Sequence, residues 1–149
     1  MYKVAILTMS DRSYKGIRPD LSGPLIAKII KKRLKAIRVI DYKVIPDEEK
    51  LIVQNLKRQA DKLKADLIFT TGGTGLAKRD VTPEATKKVL DRDLPGISET
   101  MRAFGFKKTA HALLSRAVCG VRKNTIIINL PGSPKAVREY LELILPSLP

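Results

Sequence analysis

A glycine-rich turn directly after an apolar run is the first feature of this sequence that could carry chemistry. The turn is Gly72-Gly73-Thr74-Gly75, and it follows Leu67-Ile68-Phe69-Thr70-Thr71, which has the composition of a buried strand. Glycines at such a position let backbone N–H groups come close to anionic oxygens. The turn matches neither the Walker A pattern nor Gly-x-Gly-x-x-Gly. Taken alone, it is equally compatible with a phosphate-binding loop and with a tight connection between a strand and a helix.

Two aspartates near predicted helix starts extend the phosphate interpretation. Asp80 follows Arg79 and precedes Thr82-Pro83-Glu84, which combines an N-cap residue, a proline at the first helical position and an acid in the first turn. A carboxylate there could hold a metal that bridges phosphate oxygens, and Arg79 could supply a planar donor fork. The alternatives are capping or ion pairing for Asp80 and, as the commoner role, an N-cap for Asp47, which follows Pro46.

The scarcity of histidine and cysteine excludes several classes of enzyme. The chain of 149 residues has one histidine, His111, and one cysteine, Cys119, so a two-histidine metal hydrolase and an internal disulfide are excluded by number. Histidine-based acyl transfer and a structural zinc site are disfavoured for the same reason. We expect His111 to be a structural or surface residue and Cys119 to be a small core residue. The remaining carboxylates, hydroxyls, glycine amides and basic side chains suit phosphates and magnesium.

Positive charge is the dominant bulk property of the chain. Lysine and arginine number 29 against 15 aspartates and glutamates, which gives a formal net charge of +14. Three interpretations are open: nucleic-acid binding, a generally cationic surface, and a field that attracts anionic small molecules. Nucleic-acid binding is disfavoured, because the excess falls largely on the polar faces of predicted helices and tryptophan is absent. No segment has the length and apolarity of a signal peptide or a membrane span, so we expect a cytoplasmic protein that does not bind membranes.

The hydrophobic periodicity predicts an α/β fold. Continuous or alternating apolar runs predict strands at residues 4–9, 39–45, 67–71, 112–118 and 125–130, and apolar residues at helical spacing predict helices that begin near residues 22, 47, 82, 95 and 135. The first of these helices has Ile37 in its apolar stripe, and residues 10–19 are predicted to be a loop. The last two strands are predicted to form a hairpin, with Gly120 and Lys123-Asn124 in their connection.

This order of elements places the candidate loops at one edge of a sheet. Alternating strands and helices in the first half of the chain predict a parallel sheet with right-handed crossovers, and ligands bind such sheets beyond the carboxyl ends of the strands. The loops that begin at Ser10, Pro46, Gly72 and Pro131 would then meet. No linker or repeat divides the chain, so we expect a single domain over residues 1–149.

Taken together, the motifs resemble those of the molybdenum-cofactor biosynthesis family, whose active enzymes are molybdopterin adenylyltransferases of the MogA and MoaB type. The signature is Thr70-Thr71-Gly72-Gly73-Thr74-Gly75 followed by Arg79-Asp80-Val81-Thr82-Pro83-Glu84-Ala85. The supporting stretches are Ser10-Asp11 with Gly16, Asp20 and Ser22-Gly23-Pro24, then residues 44–48, Pro95-Gly96, Met101-Arg102, Leu114-Ser115-Arg116 and residues 130–134. The resemblance runs from about residue 4 to residue 145, and the ordered set is far more specific than any single motif.

The resemblance implies a fold and a reaction. The implied fold is a three-layer αβα sandwich with a mostly parallel sheet and a C-terminal β-hairpin. The implied reaction is the adenylylation of molybdopterin by Mg-ATP with release of pyrophosphate, carried out by a homotrimer whose product passes to a downstream molybdate-insertion protein. The alternative is a molybdopterin-binding or scaffolding member of the family without transferase activity. The intact Arg79-Asp80 pair favours the active branch.

The resemblance also implies roles for individual residues. Asp47 and Asp80 are the implied catalytic residues and magnesium ligands, and Gly72-Gly73-Thr74-Gly75 with Arg79 is the implied nucleotide site. The implied molybdopterin-binding residues are Ser10, Asp11, Ser115, Pro131, Gly132 and Ser133. The attacking group would be the terminal phosphate of molybdopterin, which is ionised at neutral pH. Such a nucleophile needs orientation and charge neutralisation rather than a histidine base.

Overall fold

A six-stranded sheet with helices on both faces is the framework of the computed structural model, which describes residues 1–148. The strands are β1 (Tyr2–Met9), β2 (Ile37–Ile45), β3 (Leu67–Thr71), β4 (Arg92–Asp93), β5 (Cys119–Arg122) and β6 (Thr125–Leu130). The helices are α1 (Asp11–Tyr14), α2 (Ser22–Arg33), α3 (Glu49–Lys57), α4 (Thr82–Val89), α5 (Pro95–Phe106) and α6 (Pro134–Ile144). A π-helical turn (Arg58–Lys62) continues α3, and short 3₁₀ helices cover Ala110–Leu114 and Leu145–Ser147.

The sheet is parallel over most of its width and antiparallel at one end. Its strand order is β2-β1-β3-β6-β5-β4, in which β1, β2, β3 and β6 run parallel while β5 and β4 run antiparallel to their neighbours. Thr71, the last residue of β3, is paired with Thr8 in β1 and with Leu130 at the end of β6. The loops after the parallel strands therefore leave the sheet at one level, as the order of elements predicts.

Two apolar layers hold the helices against the sheet. Alternate residues of a strand face opposite sides, so β1 contributes Val4 and Ile6 to one layer and Ala5 and Leu7 to the other. The first layer includes residues of α2, α5 and α6, and the second includes residues of α3 and α4. Burial on both faces explains why this strand is a continuous apolar run. The three-layer αβα sandwich with a mostly parallel sheet is confirmed.

One predicted strand is wrong. Residues 112–118 lie in the 3₁₀ helix Ala110–Leu114 and in the segment that follows it, and β5 begins only at Cys119. Leu113 and Leu114, which make this run look like a strand, are exposed instead of packed on a sheet face. Apolar composition alone does not distinguish such a turn from a strand. The C-terminal hairpin itself is confirmed, and it pairs β5 with β6 through the connection Lys123-Asn124. The placement of Gly120 in that connection is wrong, because Gly120 lies in β5 and pairs with Ile127.

Smaller differences concern the ends of elements. Ile37, predicted in the apolar stripe of the first helix, is the first residue of β2, because α2 ends at Arg33 and Ala36 takes a left-handed backbone with φ of 53°. The predicted loop at residues 10–19 contains α1, and the two-residue strand β4 was not predicted. Over residues 1–148, no helix is long and apolar enough to span a membrane.

Candidate active site

An open cavity of about 550 Å³ lies beyond the carboxyl ends of the parallel strands. The loops that follow β1, β2, β3 and β6 all contribute residues to its lining. The predicted site residues among them are Ser10, Asp47, Gly72, Gly73, Thr74, Gly75, Asp80, Gly132 and Ser133. Residues from four separated parts of the chain therefore share one site, as the parallel topology requires.

Both conformation and space require glycine at two positions of the turn. Gly72 and Gly73 have left-handed backbones, with φ of +94° and +68°. A Cβ atom would overlap the carbonyl oxygen of Met9 at the first position and the hydroxyl of Thr82 at the second. The Thr82 hydroxyl donates to the Gly72 carbonyl at 2.9 Å, and the Thr82 amide donates to the Gly73 carbonyl at 3.1 Å. Thr82 therefore attaches α4 to the turn. Its predicted role as the N-cap of α4 is wrong, because Val81 is the N-cap.

Asp11 and Asp47 join the loops after β1 and β2 by a reciprocal pair of hydrogen bonds. The Asp11 amide donates to Asp47 Oδ2, and the Asp47 amide donates to Asp11 Oδ1, each at 3.0 Å. Arg79 adds a bidentate ion pair, with its Nε 3.0 Å from Asp11 Oδ2 and a terminal nitrogen 2.8 Å from Oδ1. The N-cap alternative for Asp47 is wrong, because Glu48 is the N-cap of α3 and the Asp47 carboxylate binds the other loop.

Negative charge is concentrated around Asp47. Burial raises the pKa of this half-buried carboxyl, and the charges of Asp11 and Asp80 raise it further, while the Asp11 amide and Arg79 act in the opposite direction. By contrast, the hydrogen bond from Arg79 lowers the pKa of Asp11. Asp11 thus has its own cationic partner, whereas Asp47 lies in a field that favours binding of a proton or a cation.

The positions of Asp47 and Asp80 suit a divalent cation that is bound together with a phosphate. A Cβ atom at Gly73 would lie 3.1 Å from Asp47 Oδ1, and one at Gly75 would lie 2.9 Å from Asp80 Oδ2, so both carboxylates border the glycine turn. Among residues 1–148, no group of three or more His, Cys, Asp or Glu side chains forms a metal site by itself. Mg²⁺ is commonly bound by one or two carboxylates with waters and substrate phosphates completing its coordination. The residues present therefore fit Mg²⁺ that arrives with a nucleotide.

Asp20 organises another part of the cavity wall, a role that the motifs of the sequence did not indicate. Its Oδ2 accepts hydrogen bonds from the hydroxyls of Thr8, at 2.8 Å, and Tyr42. Its Oδ1 accepts from the amides of Ser22 and Gly23, at 3.2 Å each, at the start of α2. Burial, together with Asp20, raises the pKa of the Tyr42 hydroxyl, which keeps it a donor. The available signal was an acidic residue two positions before a predicted helix start.

Four predicted site residues lie beside the cavity or away from it. Asp11 adjoins the cavity through its hydrogen bonds to Asp47, and Arg79 is held there by Asp11. The carbonyl oxygen of Pro131 accepts a hydrogen bond of 2.7 Å from the hydroxyl of Thr71, which itself lines the cavity. Ser115 is not among the lining residues of the described chain. Its carbonyl oxygen instead faces a guanidinium group of α5, at 3.5 Å.

The only histidine and the only cysteine of the chain take no part in this cavity. His111 is exposed on the surface, and Cys119 is buried in the apolar layer that contains α5. Burial raises the pKa of the Cys119 thiol to about 12, so it remains protonated at neutral pH. The expectations for both residues are confirmed.

The chain is similar to proteins of molybdenum and tungsten cofactor synthesis. It is 44% identical over 146 residues to the molybdopterin adenylyltransferase of Helicobacter pylori strain J99, a match that covers 98% of this chain and 83% of that protein. Among solved structures, it resembles the molybdopterin biosynthesis enzyme MoaB of Thermus thermophilus, with a TM-score of 0.93, 49% identity and coverage of 100% of this chain and 92% of that one. It also resembles the tungsten cofactor synthesizing protein MoaB of Pyrococcus furiosus, with a TM-score of 0.90, 34% identity and coverage of 99% and 92%.

The family match covers nearly the whole chain. Residues 5–149 match the family described as "Probable molybdopterin binding domain". This range contains all the loops that meet at the cavity. The sequence resemblance, the fold and the family match agree, and the chain belongs to this family of molybdenum-cofactor biosynthesis domains.

Proposed function

We propose that this protein is a molybdopterin adenylyltransferase. A terminal phosphate oxygen of molybdopterin attacks the α-phosphorus of ATP, the bond from that phosphorus to the oxygen bridging it to the β-phosphate breaks, and pyrophosphate leaves. The observation that carries the proposal is the convergence of a glycine turn and the two carboxylates that border it in one cavity beyond the parallel strands. The relatives from Helicobacter pylori and Escherichia coli that are named molybdopterin adenylyltransferase support it.

The nucleotide phosphates are assigned to Gly72-Gly73-Thr74-Gly75. The left-handed glycines have no side chains to cover the backbone amides, which suits anionic oxygens, and the Gly72 amide itself already donates to the Leu130 carbonyl at 3.2 Å. Arg79 is exposed at the rim, and its Nε and one terminal nitrogen bind Asp11, so its other terminal nitrogen is the one that would reach a phosphate. Asp47 and Asp80 would hold Mg²⁺, and the ion when bound would neutralise charge on the phosphate oxygens. The raised pKa of Asp47 supports this assignment, because it reflects negative charge that a cation would relieve.

Molybdopterin is assigned to the part of the cavity beside the loop after β6. The proposed contacts in the cavity lining are Ser10, Gly132 and Ser133. Asp11, Ser115 and Pro131 stay predicted contacts, and they lie outside that lining. Ser133 caps α6 by accepting a hydrogen bond of 3.2 Å from the Ala136 amide, so the positive end of this helix borders the cavity and favours a phosphate. The Ser22 hydroxyl donates to the Gly132 carbonyl at 2.7 Å, which holds this loop against α2.

The reaction needs no base from the protein, since the attacking phosphate is already ionised at neutral pH. What the chain must supply is orientation of two polyanions and reduction of their repulsion. A net charge of +14 raises the local concentration of both substrates. The homotrimer, the downstream molybdate-insertion protein, the cytoplasmic location and the single-domain organisation stay predictions, as does the absence of a nucleic-acid partner.

The test is incubation of the protein with molybdopterin, ATP and Mg²⁺, followed by measurement of released pyrophosphate. We expect Asp80→Asn to lower kcat far more than it lowers the affinity for molybdopterin, because the change removes charge beside the nucleotide turn. Comparable losses in both quantities would contradict the assignment of Asp80. Tight binding of molybdopterin without pyrophosphate release would instead support the non-catalytic alternative.

A further inference from the structure

Arg116 joins both ends of the segment that carries Arg79 and Asp80. Its Nε donates to the carbonyl oxygen of Gly75 at 2.8 Å, and one terminal nitrogen donates to the carbonyl oxygen of Asp80 at 2.5 Å. The other terminal nitrogen forms an ion pair with Glu84 in the first turn of α4. Its backbone amide donates to the carbonyl oxygen of Thr74 at 2.9 Å. One residue therefore contacts the glycine turn, the following loop and α4.

The loop between Gly75 and Asp80 has few other fixed points. Its residues 76–79 are exposed and belong to no helix or strand. Within the loop, the Asp80 amide donates to the Ala77 carbonyl at 2.9 Å, and the Ala77 amide donates to Asp80 Oδ2 at 3.0 Å. These two bonds shape the loop. The side chain of Arg79 attaches its middle to Asp11, and the bonds to Arg116 attach its two ends to the rest of the protein.

The contacts of Arg116 also set the direction of backbone amides. In a trans peptide the N–H points away from the carbonyl of the same peptide unit. Because the carbonyls of Thr74 and Gly75 bind Arg116, the amides of Gly75 and Leu76 point away from it. Thr74, Gly75 and Asp80 line the cavity, while Arg116 is not among its lining residues.

We propose that Arg116 is a positioning residue for the proposed adenylyl transfer. It holds the nucleotide turn and the Asp80 carboxylate in working positions from behind the cavity wall, without touching the nucleotide. An arginine is needed because its planar guanidinium directs several donors to separate acceptors, which a single ammonium group cannot reproduce. The inference rests on the proposed function and adds a residue to it.

The experiment compares Arg116→Lys and Arg116→Gln with a matched control, Arg122→Lys. Arg122 is also a partly buried arginine that binds a carboxylate, Asp61, and a backbone carbonyl, but it lies beside the start of β6, at the sheet edge away from the cavity. At a temperature where circular dichroism shows all variants folded, we expect both Arg116 variants to lower kcat by about tenfold to a hundredfold. The KM for molybdopterin is expected to change by less than about twofold. The control is expected to retain wild-type kcat and KM.

A fourth variant separates carbonyl bonding from ion pairing. Glu84→Gln removes the charge that faces Arg116 but leaves its bonds to the carbonyls of Gly75 and Asp80. We expect this variant to stay within about threefold of wild-type kcat, since the backbone positions are retained. A loss equal to that of Arg116→Lys would overturn the inference, as would an unchanged kcat in both Arg116 variants. Failure of the wild-type protein to release pyrophosphate would overturn the proposed function first, and the inference with it.

Discussion

Replacing Gly73 by alanine separates backbone strain from crowding at the nucleotide turn. Gly73 has φ of +68°, and a Cβ atom there would overlap the Thr82 hydroxyl and lie 3.1 Å from Asp47 Oδ1. Gly16 is the matched control, because it has φ of +73° and its Cβ would meet nothing within 4 Å. The two substitutions therefore share a conformational penalty and differ in the space that receives the methyl group.

The magnitude follows from these two contributions. An alanine in a left-handed backbone costs about 1–2 kcal/mol, and the reduced freedom of its unfolded chain offsets about 0.4–1 kcal/mol of that. Gly16→Ala is therefore expected to lower the free energy of unfolding by about 1 kcal/mol. In Gly73→Ala the methyl group also displaces the buried Thr82 hydroxyl from its 2.9 Å bond to the Gly72 carbonyl. An unsatisfied buried group adds about 1–3 kcal/mol, for a total of about 2–4 kcal/mol.

The assay is urea unfolding of both variants, paired with measurement of pyrophosphate release. We expect Gly73→Ala to lose about 1–3 kcal/mol more than Gly16→Ala and to lose kcat by about a hundredfold, because the turn and Asp47 shift together. Gly16→Ala is expected to keep kcat within about twofold, since its Cβ faces open space. Equal stability losses in the two variants, or wild-type turnover in Gly73→Ala, would refute the assignment of close packing around the turn.

Two further predictions concern ionisable groups. The pKa of Asp47 is raised in the folded protein, so its protonated form stabilises the fold below the unfolded pKa of 3.8, and this stability is lost as pH rises through the folded pKa. In metal-free buffer near neutral pH, Asp47→Asn is therefore expected to raise the melting temperature. The gain should vanish in melts below pH 3.8, and a gain that is constant with pH would contradict the burial argument. The hydrogen bond from Arg122, with help from Lys123, lowers the pKa of Asp61 to about 2, so its contribution is lost as pH falls from 3.8 through about 2. Asp61→Asn is expected to weaken the dependence of the melting temperature on pH in that window. An unchanged dependence on pH would show that the ion pair contributes nothing to stability.

The central strands and most helices follow from local sequence. The runs that become β1, β3 and β6 are apolar because both faces of the sheet are covered. Once these runs are recognised as parallel strands, the loops that follow them must lie at one edge of the sheet. The run from Ala112 to Val118 has a similar composition, but it belongs to a 3₁₀ helix and to an irregular segment that precedes β5. In this run composition does not report burial, because Leu113 and Leu114 are exposed, and it does not specify which backbone hydrogen bonds the segment makes.

The division of roles among the aspartates required the structure. Asp11 and Asp47 are 36 residues apart, and Asp11 and Arg79 are 68 apart, so no local pattern could pair them. The family resemblance places both aspartates at the site, and it implies that Asp11 is a molybdopterin contact. In the structure both oxygens of Asp11 already accept hydrogen bonds from Arg79, and one also accepts the amide of Asp47.

A carboxylate that is occupied in this way acts on the site chiefly by holding its neighbours. Asp11 holds Arg79 at the rim and braces the loop of Asp47, while Asp47 and Asp80 border the turn with oxygens placed beside Gly73 and Gly75. Arg116 has the equivalent function for Asp80 from the other side of the cavity wall. A site that must bring two polyanions together therefore keeps its unpaired negative charge where a cation can enter, and it neutralises the rest with arginines whose bonds also fix the loops.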